Sequence, residues 1–180
     1  AVFLSGLLMK SNTTYIVDKP KVVEHGKSDF TYALFLGFAL GAATTVMFNM
    51  FPGWFEERSF TIFGLGDSTI VCMILALVAL ISLPISKIVE SRSVFMAVLI
   101  SIVSLIVVTF GIYFFENSAI TFLLLLLFAV FYAVMSVSFL PTALTIVKDK
   151  HKVFGVGVFF AGFELPNGIL EAILVATGSF

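Results

Sequence analysis

The sequence predicts an all-α fold, a bundle of helices that crosses a membrane several times. Hydrophobic residues make up 60% of the 180 residues, charged residues make up 12%, and the mean hydropathy is +1.15. A soluble domain is about half apolar and about a quarter charged, and at this size it has too little interior for so many apolar side chains. Long charge-free runs also recur along the chain, and about 20 apolar residues span a bilayer as a helix.

Residues 1–29 precede the first full-length apolar run. The apolar stretch 1–9 is too short to span a bilayer and begins without an initiator methionine. We interpret it as the tail of a membrane helix that starts outside this sequence, and the sequence as a fragment of a longer protein. The polar stretch 10–29 contains four lysines, and we expect it to form a cytoplasmic loop.

Residues 30–180 are predicted to form one membrane domain with five spans. Polar hinges separate the apolar runs, and the Pro52–Gly53 pair favours a turn after the first run. Trp54 and Phe55 follow that turn, where aromatic side chains mark a membrane interface. The runs are too long for the short alternating strands of an outer-membrane barrel. The predicted spans are 30–51, 60–86, 94–115, 117–147 and 153–180.

The distribution of Lys and Arg predicts the orientation of the spans. When the connections are assigned to alternating sides, nine of the ten basic residues fall on one side of the membrane and Arg58 alone on the other. Short loops rich in Lys and Arg stay in the cytoplasm, so the loops 10–29, 87–93 and 148–152 are predicted to be cytoplasmic. We expect a multi-pass protein of the plasma (inner) membrane.

Three acidic residues lie inside the predicted spans. An unpaired acid at the bilayer centre costs roughly 2.5–3.5 kcal/mol, so such residues usually face a protein interior or a watery pathway. Glu164 lies about 16 Å into the fifth span, and Asn167 and Glu171 follow on the same helical face. Glu164 either lines a transport pathway or pairs with another helix as a structural contact. Asp67 is near the outer end of the second span and is either interfacial or part of a pathway.

Prolines in two spans predict places where a helix bends. Pro166 lacks the N–H that its helix would use and lies beside Glu164 and Asn167. Broken or bendable helices of this kind build the binding sites of membrane transporters. Pro141, near the end of the fourth span, is the second candidate bend.

Small and polar residues predict contacts between helices. Gly37 and Gly41 form a small-xxx-small pair, which favours a close helix–helix contact. Two polar pairs each serve either as solute contacts or as hydrogen bonds within the bundle. These pairs are Thr45 with Asn49 in the first span, and Ser138 with Thr142 in the fourth.

The sequence lacks the residue patterns of several other functions. No glycine-rich phosphate loop is present, and no nucleophile is paired with a base. The single cysteine, Cys72, lies in an apolar run, and both histidines fall in the predicted loops. We therefore expect no enzyme activity, no cofactor, no metal site and no nucleic-acid partner.

Two stretches resemble parts of major facilitator superfamily transporters. Residues 83–92, LPISKIVESR, look like that family's short loop between helices 8 and 9, with Glu90 where Asp is usual. Gly155, Gly157 and the Pro166–Asn167 pair are similar to helix 11 of the sugar–cation symporters, in which Gln follows the proline. The chain resembles the carboxy-terminal half of the family, helices 7 to 11. The resemblance implies that an N-terminal half and a final helix complete the protein, and that the third span lies at the periphery, facing lipid.

The expected function is secondary active transport of a small solute, a sugar or another metabolite, by alternating access. We expect coupling to a proton or a cation, with Glu164 as the binding group because of its depth in the span and its position beside Pro166 and Asn167. The expected partners are the lipid bilayer and the solute. The expected pathway consists of the polar residues described above: Glu164, Asn167, Glu171, Asn49, Thr45, Ser138, Thr142 and Asp67. The alternative is a non-transporting polytopic scaffold or assembly subunit.

Overall fold

The computed structural model describes residues 29–58, 60, 67–90, 94–115 and 117–177. Within these ranges, five helices are long and apolar enough to cross a membrane, which confirms the prediction of a multi-pass helical membrane protein. The predicted helix tail 1–9 and nearly all of the loop 10–29 lie outside the described residues. The helices are α1 (Phe30–Thr45), α2 (Phe51–Glu57), α3 (Asp67–Glu90), α4 (Val94–Phe114), α5 (Ser118–Ile146) and α6 (Lys152–Thr177).

The first span is one continuous helical rod in which a π-helical segment, Val46–Met50, joins α1 to α2. The turn predicted at Pro52 and Gly53 is therefore wrong. A proline inside a helix lacks an N–H and clashes with the carbonyl group four residues earlier. Here the N–H of Phe51 donates to the carbonyl of Val46, five residues back, which is a π-type bond. Pro52 then falls in the first turn of α2, where a helix tolerates it.

The other helices also differ from the predicted limits at their ends. α3 continues through Lys87, so the first part of the predicted loop 87–93 is helical. A cation in the last turn suits the negative end of the helix dipole. α5 begins after Asn117, whose side-chain oxygen accepts hydrogen bonds from two backbone N–H groups of the first turn, at 3.0 and 3.3 Å. Both α5 and α6 run through their internal prolines, Pro141 and Pro166, without interruption.

α5 forms the centre of the described bundle. It packs against α1, α3 and α4, whereas α6 packs mainly against α1. The Phe51 and Phe128 rings meet at 5.0 Å in the core. In its most hydrophobic stretch, 17% of α6 is buried, against 28% of α4. Within the described chain α6 is therefore less buried than α4, because it packs mainly against one neighbouring helix. That the third span faces lipid stays a prediction.

Three glycines bring the backbones of α1 and α6 into contact. Gly37 and Gly41 lie against the backbone of α6, which confirms the close contact predicted from this pair, and Gly162 lies against the backbone of α1. The contacts advance in the same direction along both helices, so α1 and α6 run parallel. A Cβ added to any of the three glycines would collide with a carbonyl oxygen, namely that of Phe159, Phe163 or Leu34 respectively.

Arg58 connects the end of the first span to the end of α4. Its guanidinium group donates hydrogen bonds to the carbonyl oxygens of Ile112 at 2.8 Å and Phe115 at 3.3 Å, and to that of Tyr113. The last carbonyl groups of a helix have no partners within the helix, and a cation there also favours the helix dipole. The one basic residue on its side of the predicted topology is thus a helix cap.

Replacing Arg58 should destabilise the bundle. We expect Arg58→Gln to lower the free energy of unfolding by roughly 1.5–3 kcal/mol, the usual contribution of a hydrogen bond to a charged group. The matched control is Lys152→Gln, which removes a solvent-exposed ion pair with Asp149 (2.6 Å) that contributes about 0–1 kcal/mol. Thermal unfolding of both variants in detergent measures the difference. Equal, small losses would show that Arg58 does not hold the two helix ends together.

Candidate functional site

A polar cleft lies between the first span and α6, which are both long and apolar enough to cross a membrane. Its volume is about 220 Å³. Four of the residues that the sequence predicts as a pathway line it together, two from the first span and two from α6. The lining residues are Gly41, Thr44, Thr45, Phe48, Asn49, Phe163, Glu164 and Asn167.

The polar side chains of the first span reach this cleft where the helix changes from α-helical to π-helical. Thr45 is the last residue of α1, and Asn49 lies in the π-helical segment. A π-helical turn contains one extra residue, which changes the direction of the side chains that follow it, and such turns are frequent at functional sites. The close approach at Gly41 brings α6 near enough for its own polar side chains to meet Asn49.

Two amides and a carboxylate form a hydrogen-bonded relay beside the cleft. The Nδ2 of Asn49 donates to the Oδ1 of Asn167 at 3.2 Å. The Nδ2 of Asn167 in turn donates to the Oε1 of Glu171 at 3.1 Å. Glu171 does not line the cleft, but Asn167 connects it to Asn49. This relay joins side chains of the first span and of α6, two helices that also touch through their backbones.

Glu164, unlike Glu171, lines the cleft. Its side chain is exposed, and among the described residues it has neither a hydrogen bond nor an ion pair. Thr45 is nearly buried, at 8% exposure, and its hydroxyl likewise has no hydrogen-bond partner within the described part of the chain. The cleft therefore combines one carboxylate with a free hydroxyl group.

Sequence reasoning missed one polar contact next to the cleft. Thr44 donates to the carbonyl of Leu40 at 2.8 Å, and its hydroxyl also lies 2.8 Å from the hydroxyl of Tyr132 in α5. Tyr132 is 9% exposed. The signal available in the sequence was the tyrosine itself, because a phenol hydroxyl buried in an apolar helix usually finds a hydrogen-bond partner.

Ser138 and Thr142, two further residues of the predicted pathway, do not line the cleft. Ser138 and Thr142 are buried in α5, and each hydroxyl donates to a carbonyl of its own helix at 2.6 Å. They satisfy their own polar groups within α5, as Ser and Thr commonly do in membrane helices. Asp67 is the first residue of α3, and its side chain lies outside the part that the structure describes.

A second, larger opening has an almost wholly apolar lining. It has a volume of about 550 Å³ and lies between α1, α4 and α5. Trp54 and Tyr113 line it, with their rings 5.1 Å apart. Its lining has no charged side chain, whereas the polar cleft contains Glu164, so the polar cleft is the candidate functional site.

Comparisons of the chain with protein-family models, with curated proteins and with solved structures found no match.

Proposed function

We propose that this protein is a secondary active transporter that moves a small solute, a sugar or another metabolite, across the plasma (inner) membrane. The observation that supports this most is the polar cleft, in which the Glu164 carboxylate, without a partner among the described residues, lies halfway along a membrane-spanning helix. A carboxylate at that depth is costly to leave unpaired. Binding a proton or a cation removes that cost, which is what an ion-coupled carrier requires of its coupling group.

The packing of α1 and α6 suits a carrier that works by alternating access. The two helices touch through their backbones and so can move as one rigid pair. In the resemblance to major facilitator superfamily transporters they correspond to helices 7 and 11, and the N-terminal half of the protein would supply the opposite wall of the pathway. We propose that Glu164 takes up the coupling ion and that the solute binds between this pair and that half.

The alternative function is a non-transporting scaffold or assembly subunit. One observation favours it: the uncovered side of α6 carries Gly157 and Gly168, and a Cβ added to either meets nothing within 4 Å. Small residues of this kind let a second membrane helix approach closely. In that case Glu164 would pair with a donor on the partner helix and would not exchange ions.

Transport by the full-length protein in reconstituted vesicles separates the two functions. We expect a panel of radiolabelled sugars and small metabolites to include at least one solute that accumulates under an imposed proton or sodium gradient. A protonophore or a sodium ionophore should collapse that accumulation. If a well-folded protein moves no solute under any gradient and co-purifies with a second membrane protein, the scaffold function is the correct one.

A further inference from the structure

We infer that Glu171 determines which ends of Asn167 and Asn49 donate and which accept hydrogen bonds, so that an amide oxygen faces the polar cleft. We infer that the cleft, lined in this way, binds a small monovalent cation. This inference rests on the proposed function, because it names the coupling ion of the same site. It assigns different roles to the two carboxylates of α6. Glu164 contacts the ion, whereas Glu171 is a positioning residue that acts through Asn167 and Asn49.

The size of the cleft favours an ion over a metabolite. Its volume of about 220 Å³ is below the roughly 300–1,000 Å³ of pockets that hold drug-sized molecules. A monovalent metal ion with one or two waters, or a small ammonium group, is the class of ligand that such a volume accommodates. The solute of the proposed function would then bind elsewhere along the pathway.

The direction of the hydrogen bonds in the relay follows from the chemistry of Glu171, its last residue. A carboxylate only accepts hydrogen bonds, whereas an amide has one accepting and one donating end. Asn167 must therefore turn its NH₂ toward Glu171, which leaves its oxygen facing Asn49. Asn49 must then donate its own NH₂, and its carbonyl oxygen is left for the cleft. Reversing either amide would place two oxygens or two NH₂ groups against each other.

Three oxygen-bearing groups of the cleft-lining residues accept no hydrogen bond from the described part of the chain, and together they carry a single formal negative charge. They are the carboxylate of Glu164, the carbonyl oxygen of Asn49 and the hydroxyl of Thr45, which all belong to cleft-lining residues. Oxygen ligands suit hard cations. One monovalent cation neutralises the carboxylate of Glu164, the one charged group among the described residues that line the cleft, and so removes the cost of that charge inside the membrane.

Ligand-dependent thermal stability tests this inference without requiring transport. The unfolding midpoint of the full-length protein in detergent is measured against NaCl, KCl and methylammonium chloride, with choline chloride as the control for ionic strength. We expect saturable stabilisation by at least one small cation and none by choline, since a ligand that binds only the folded state raises its stability. Glu164→Gln should abolish the effect, and Glu57→Gln, which changes an exposed carboxylate of α2, should leave it unchanged.

The role of Glu171 is tested by reversing the relay. In Glu171→Lys the ammonium group donates to the oxygen of Asn167, whose NH₂ then turns to Asn49, so that Asn49 presents N–H groups to the cleft. Replacing one oxygen ligand by a donor should weaken cation binding about tenfold or more. The double variant Glu171→Lys/Asn49→Asp should recover binding, because an aspartate accepts from Asn167 and still offers an oxygen to the cleft. Because Asn49→Asp also adds a negative charge to the cleft, this single variant is the control. If it strengthens cation binding as much alone as in the double variant, the recovery is an effect of charge and overturns the role of Glu171 in the relay.

The outcomes separate this inference from the proposed function. Solute transport without stabilisation by any small cation would overturn the cation site and leave the transporter proposal standing. Cation-specific stabilisation that is lost in Glu164→Gln, in a protein that transports nothing, would support the site and overturn the transporter. Full cation binding by Glu171→Lys would overturn the role of Glu171 in directing the hydrogen bonds of the relay.

Discussion

Gly41→Ala should prevent α1 and α6 from packing as they do in the native protein. The added Cβ would lie inside the van der Waals distance of the Phe163 carbonyl oxygen, and further backbone atoms of Phe163 lie within 3 Å of it. A side chain can rotate out of such a clash, but a helix backbone cannot. We expect a loss of at least about 1–3 kcal/mol of unfolding free energy, the usual cost of overpacking, and a larger loss in Gly41→Ala/Gly162→Ala.

The matched control for this variant is Gly53→Ala. Gly53 lies in α2, and a Cβ added there meets nothing within 4 Å. Alanine in a helix is favoured over glycine by about 1 kcal/mol, so this variant should be as stable as the native protein or slightly more stable. Thermal unfolding and size-exclusion profiles in detergent provide the measurement. A Gly41→Ala protein as stable as Gly53→Ala would show that the two helices do not touch through their backbones.

Glu164→Gln should abolish accumulation of solute against a gradient while allowing solute to equilibrate. Glutamine keeps the size of the side chain but no longer carries the charge that binds a coupling ion. One coupled charge supports about 2.3 kcal/mol at 100 mV, or roughly a 50-fold concentration ratio. In native vesicles the ratio of solute inside to solute outside is limited to that value. In the variant we expect this ratio to fall toward one, while exchange of labelled for unlabelled solute continues.

The control for this experiment is again Glu57→Gln, which removes a carboxylate far from the cleft along the chain and should transport normally. Each rate is divided by the amount of folded protein. Native gradient-driven accumulation in a well-folded Glu164→Gln protein would remove Glu164 from the coupling mechanism. Lower thermal stability with unchanged transport per folded molecule would assign it a structural contact between helices.

The helices and the polar face of α6 could be predicted from the sequence, because both depend on local periodicity. A run of apolar residues long enough to span a bilayer forms a helix there, since only a helix satisfies its own backbone groups in lipid. Offsets of three and seven residues placed Glu164, Asn167 and Glu171 on one face, and the hydrogen bond between Asn167 and Glu171 spans one turn of that helix. Gly37 and Gly41 predicted a tight contact but not its partner.

The tertiary structure decided which helices meet and which polar groups remain free. Asn49 and Asn167 are 118 positions apart, and nothing in the periodicity of one helix identifies its neighbour. In a membrane, helices pair through the fit of their surfaces and not through a general preference for burial, so the pairing of α1 with α6 depends on where the glycines meet. For the same reason, the sequence alone does not tell which of Thr45 and Ser138 lines a cleft. The helices that pack around them place Thr45 in the cleft lining and bury Ser138 in the bundle.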